Sequence, residues 1–65
     1  MTSYERYDQI RSKLGFTNAD VSRGTGVADT TISSWKKGTY TPKTDKLQKI
    51  ADFLGTTVDF LLTGE

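Results

Sequence analysis

The stretch from Asn18 to Trp35, NADVSRGTGVADTTISSW, decides how this chain folds. Two segments with helical spacing of apolar residues meet across Thr25-Gly26-Val27. Three residues are too few for an antiparallel hairpin of helices and suit two helices crossing near a right angle, with a glycine at the corner. Counting from Asn18, apolar Val21 falls fourth, small Ser22 fifth, where the helices touch, and Gly26 ninth, where a sharp corner needs positive φ. Val27, Ile32 and Trp35 fall tenth, fifteenth and eighteenth, facing a shared core. Each position meets its own steric requirement, so the segment reads as a helix-turn-helix unit, serving either a ligand or packing alone.

Working outward, helical periodicity accounts for nearly every apolar residue and glycines fall at the segment ends, so the chain reads as all-α. A first helix, about 4–14, carries Tyr4, Tyr7, Ile10 and Leu14 on one face and stops at Gly15. A second, 17–25, opens with Thr17 three residues before Asp20, a capping-box arrangement, and includes Gly24, which costs about 1 kcal/mol relative to alanine. A third, 28–37, turns Ile32 and Trp35 inward and Asp29, Thr30, Ser33, Ser34 and Lys37 outward, and Ala28 cannot cap it. The loop from Thr39 to Lys43 holds the single proline, Pro42, ahead of a fourth helix, 43–54, with Leu47, Ile50, Ala51 and Leu54 buried. Thr57 caps a fifth, 57–62. The expected architecture is a compact five-helix bundle with a central helix-turn-helix. Residues 1–65 form a single domain, without repeats or linkers.

A chain of 65 residues buries only about 60% of its unfolded surface, enough for one modest core. With no cysteine and no histidine, disulfides, thiolate chemistry, imidazole bases and the usual zinc sites are excluded. No spacing pairs a base with a nucleophile and no glycine loop cradles phosphate, so the chain reads as a binding protein rather than an enzyme, with no cofactor or metal implied. No apolar run approaches the roughly 20 residues of a membrane span, and Met1 leads into polar residues rather than a signal peptide, so an intracellular, cytoplasmic location is expected. The net charge of +1 hides an asymmetry. Arg23, Lys36, Lys37, Lys43, Lys46 and Lys49 outnumber Asp29 and Asp45 in the middle of the chain, whereas the last quarter holds only Asp52, Asp59 and Glu65. The middle can face a polyanion and the C-terminal part cannot. A solvated polar face is the other reading of the same charges.

Three pieces, FTNADVSRGTGV, TTISSWKKG and TPKTDKLQKIADFLGTTVDFLLTGE, make the stretch from Phe16 to Leu62 resemble the phage-repressor or Cro-like (XRE-like) helix-turn-helix family. The resemblance implies a lambda-repressor-like DNA-binding domain that engages operator DNA as a two-fold dimer, with the helix over 28–37 in the major groove. By position in the family motif, Asp29, Thr30 and Ser34 read base edges, with Ser33 beside them. Short hydroxyl side chains discriminate bases loosely, while a carboxylate accepts only and prefers the amines of cytosine or adenine. The other role open to Asp29 is a first-turn charge that stabilises the helix start. Thr17, Asn18, Lys37, Thr39 and Lys43 match backbone-contacting positions, and Lys36 and Arg23 are neighbouring cations.

Two positions depart from the family wording. Asn18 stands where glutamine is common, one methylene shorter. Lys36 stands where a glutamate commonly pairs with an arginine at the place of Arg11, so Arg11 either turns to Asp8 or is free to approach DNA. On the last helix Val58, Leu61 and Leu62 share a face and Phe60 points elsewhere, which makes Phe60, with Leu62, the candidate dimer contact; Phe60 folded back on Tyr4 is the alternative. Trp35 reads as core and Tyr40 as a loop residue able to meet a phosphate. Many relatives continue past the equivalent of Glu65, so the resemblance leaves open both a complete chain and the excised N-terminal domain of a longer regulator. The expected function is transcriptional regulation, most simply repression, by sequence-specific binding of double-stranded DNA. A protein-interaction module of the same fold, antitoxin-like or accessory, is the rival reading.

Overall fold

The structure, a computed structural model, describes all 65 residues as five helices. They are α1 (Ser3–Lys13), α2 (Asn18–Thr25), α3 (Asp29–Lys37), α4 (Thr44–Leu54) and α5 (Val58–Thr63). Each lies within a residue or so of the range expected from periodicity, and the differences have local causes. Helix α1 starts early because Thr2 caps it: its hydroxyl accepts from the Glu5 N–H at 3.1 Å while Glu5 accepts from the Thr2 N–H at 2.8 Å. Helix α2 shows the expected box, Thr17 accepting from the Asp20 N–H at 3.1 Å and Asp20 from the Thr17 N–H at 2.9 Å. Helix α3 begins after Ala28 with no side-chain cap, and Thr57 accepts from the Phe60 N–H at 3.0 Å to start α5.

Between α2 and α3 the corner is made by Gly26, at φ +78°, and closed by two hydroxyls. Ser22 donates to the Val27 carbonyl at 2.6 Å, and Thr25 donates to the Val21 carbonyl at 2.7 Å while accepting from the Val27 N–H at 3.2 Å. Both backbone groups of Val27, the buried residue of the turn, are thus satisfied by side-chain hydroxyls.

One core of eleven side chains joins all five helices: Tyr4 and Tyr7 from α1, Val21 from α2, Val27, then Ile32 and Trp35 from α3, Leu47, Ile50, Ala51 and Leu54 from α4, and Leu61 from α5. Two expectations of burial fail. Leu14 is half exposed because α1 ends at Lys13 and Gly15 turns the chain away, and Phe16 packs instead, its ring 5.0 Å from that of Phe53. Leu62 does not share the buried face of Leu61; it is exposed, while Val58 packs against the core and Phe60 is half-buried. Arg6 closes the bundle, donating to the carbonyls of Leu62 at 2.9 Å and Leu61 at 3.3 Å, so a cation sits on the C-terminal end of α5. No helix is long and apolar enough to cross a membrane.

Candidate nucleic-acid interface

Helix α3 is held by one face and open on the other. Ile32 and Trp35 are buried, and the Trp35 indole N–H donates to the Ser3 hydroxyl at 2.8 Å, its ring edge-on to Tyr4 at 5.5 Å and 4.9 Å from Tyr7. Trp35 is therefore core, as its spacing requires. On the open face Asp29, Thr30, Ser33, Lys36 and Lys37 are exposed and Ser34 is half-buried. The face carries hydroxyls, one carboxylate and two ammonium groups, with no large apolar side chain among them.

At the C-terminal end of α3, Gly38 at φ +81° turns the chain and the Thr39 N–H and hydroxyl both approach the Ser34 carbonyl, at 3.1 and 3.2 Å. The Thr39 hydroxyl thus tightens the exit from α3. The loop that follows is pinned by buried Pro42 and presents Tyr40 and Lys43 to solvent. Lys36 and Lys37, with Tyr4, Trp35 and Tyr40, line a cavity of about 350 Å³ between this loop and the start of α1.

At the start of α2 the Thr17 oxygen is engaged as a cap, accepting from the Asp20 N–H, while the Thr17 N–H donates to the Asp20 carboxylate at 2.9 Å and holds that carboxyl below its usual range. The Asn18 side chain turns toward the core: Oδ1 accepts from the Tyr7 hydroxyl at 2.7 Å and Nδ2 donates to the Tyr4 hydroxyl at 3.2 Å. Burial pushes the Tyr7 phenol up, so this group stays a donor at any physiological pH. The sequence reading missed this network. The available signal was a pair of tyrosines on the apolar face of α1, since a buried phenol needs a hydrogen-bond partner.

The choice left open for Arg11 is settled by the fold. It pairs with Asp8, donates to the Phe16 carbonyl at 2.7 Å and to the Ser12 hydroxyl at 3.1 Å, and lies 5.9 Å from the centre of the Tyr7 ring. Its Nε is buried without a partner. Arg23 pairs with Asp20, and Arg6 is bound to α5. All three arginines are therefore engaged within the fold, whereas no lysine forms an ion pair. No cluster of Asp and Glu could hold a metal ion.

The open side of α3, flanked by the start of α2 and the loop after Gly38, is thus a polar, cationic surface on a rigid frame. Residues 9–61 match the family model described as helix-turn-helix. An uncharacterized HTH-type transcriptional regulator of Haemophilus influenzae is 36% identical over 61 residues, spanning 94% of this chain and 25% of that protein. The HTH-type transcriptional activator BcrR of Enterococcus faecalis is 33% identical over 61 residues, spanning 94% of this chain and 30% of that protein. The chain therefore spans only about a quarter to a third of the length of these relatives. Among solved structures, the P22 c2 repressor, crystallised in complex with synthetic operator 9T, superposes with a TM-score of 0.89 at 28% identity, covering 100% of this chain and 98% of that one. Matched by sequence over most of its length and by structure over all of it, the chain belongs to the helix-turn-helix family of the phage-repressor (XRE) type, a family of transcription regulators and not of enzymes.

Proposed function

We propose that the chain is the sequence-specific DNA-binding domain of a transcriptional regulator acting in the cytoplasm, with α3 lying in the major groove of double-stranded DNA. The observation that carries this reading is the division of α3: Ile32 and Trp35 are locked into the core while Asp29, Thr30, Ser33 and Ser34 form a polar strip on the opposite side, and hydroxyl and carboxylate groups there suit base edges. A protein-docking helix would place apolar or aromatic anchors there. Thr17 and Asn18 at the start of α2, and Lys36, Lys37, Thr39 and Lys43 at and beyond the end of α3, meet phosphates on either side and set the register. With the Asn18 amide turned inward, its backbone N–H at the first position of α2 becomes the group to contact phosphate.

The domain acts as a homodimer on a short inverted repeat, with the two copies of α3 about 34 Å apart, one turn of duplex. Exposed Leu62 and half-buried Phe60 on α5 form the contact between copies. Repression is the simplest outcome, since a bound domain blocks access to the DNA it covers; the likeness to the P22 c2 repressor supports it.

Selection from a random duplex library tests this reading. Enrichment of a palindrome with half-sites about 10 base pairs apart is expected. A lone half-site would remove the dimer from the proposal, and the absence of any enriched sequence would remove base reading itself.

A further inference from the structure

The hydrogen bonds between α1 and α2 have a direction, and it leaves one proton unspent. Tyr7 is fully buried, so its hydroxyl must donate, and it does so to Asn18 Oδ1 at 2.7 Å. That fixes the amide with Nδ2 toward Tyr4, whose oxygen accepts at 3.2 Å. Reversing the amide would make the Tyr7 oxygen an acceptor and strand its proton in the core. With its oxygen already accepting, the Tyr4 hydroxyl has a proton to give, and no group of the protein takes it. Tyr4 differs from Tyr7 in keeping some exposure, 9% against 0%, and it is among the residues that line the cavity beside α3, with Lys36 and Lys37. A donor without an internal acceptor, 3.2 Å from the first side chain of α2 and on a residue that shares its cavity with two unpaired lysines, matches an anionic oxygen.

We propose that the Tyr4 hydroxyl donates to a phosphate of the DNA backbone lying between the start of α2 and the end of α3, with Tyr7 acting through Asn18 as the positioning residue that turns this proton outward. The inference rests on the DNA-binding reading above and adds to it a contact from α1, outside the helix-turn-helix. The relay also polarises the donor, because each hydroxyl or amide that accepts a hydrogen bond donates a stronger one.

The test uses Tyr4→Phe, Tyr7→Phe and the double variant, each titrated with a fluorescent random-sequence duplex at two salt concentrations, with thermal melts run in parallel. Both substitutions keep the rings that pack on Trp35. Tyr4→Phe should weaken binding by about tenfold, the loss expected for a hydrogen bond to a charged group. Its salt dependence should match that of the unaltered protein, because no charge is removed. Tyr7→Phe should weaken binding less and add nothing in the Tyr4→Phe background. Full affinity in Tyr4→Phe would overturn the contact, and additive losses in the double variant would overturn the positioning role of Tyr7. A loss that follows the melting temperature, with binding restored on cooling, would reduce both tyrosines to fold stability and overturn the proposal. If the unaltered protein fails to bind duplex at low salt, the DNA-binding reading falls and this contact falls with it; binding by the unaltered protein separates the two.

Discussion

At Gly24, helix propensity and packing pull in opposite directions. Propensity alone makes Gly24→Ala stabilising by about 1 kcal/mol. Yet a Cβ at this position would overlap the Phe53 ring, which is itself held against Phe16. The expected outcome is a loss of about 1–2 kcal/mol from overpacking, measured by urea denaturation, with most of it recovered when Phe53→Leu is added. Residues with a local purpose were legible in sequence: Gly26 at the corner, Ser22 at the helix contact, Trp35 in the core. Gly24, Asn18 and Leu14 were not, because what decides them lies on another helix. Phe53 explains Gly24, and two tyrosines of α1 explain Asn18, with neither partner visible from spacing. Leu14 was misread because periodicity extends a helix past the point where Gly15 turns the chain.

The helices differ in how their first turns are closed, and this governs the response to acid. Thr2 with Glu5, and Thr17 with Asp20, hold both carboxyls below their ordinary values of 4.5 and 3.8. A carboxyl depressed in the folded state stabilises it above the unfolded value, and the contribution is lost as pH falls through the folded value. Melting temperature should therefore stay level in this respect from neutral pH down to about 5 and fall as the pH drops past these values. The variant Glu5→Gln with Asp20→Asn should lose that component of the acid slope, which melts across the pH series would show. The second box was legible as Thr17 before Asp20, whereas the first was overlooked because apolar periodicity begins only at Tyr4. The order and number of helices followed from glycine placement, and so did the tight corner between α2 and α3, where Gly26 takes a positive φ.

Across the whole molecule, the reading from sequence found the basic middle and the acidic end but not which cations are free. Pairing decides that, and pairing is a property of the fold: Asp8 and Asp20 take Arg11 and Arg23, while the carbonyls ending α5 take Arg6. The cations left unpaired are all lysines, and under the proposed function Lys36, Lys37 and Lys43 are the ones that would face DNA. Lys37→Gln and Lys43→Gln should each reduce the slope of log affinity against log salt by about 1, with little change in which sequence is enriched; titrations across a salt series measure this directly. That Lys36, Lys37 and Lys43 are exposed was legible in the sequence; where the Asn18 and Arg11 side chains go was not, because both turn inward. This division of labour between the two kinds of cation has a chemical consequence. Acyl donors consume primary amines and spare guanidinium groups, so acetylation would strip the outward-facing charge while the internal clasps stayed intact, giving a domain that keeps its shape and releases its polyanion.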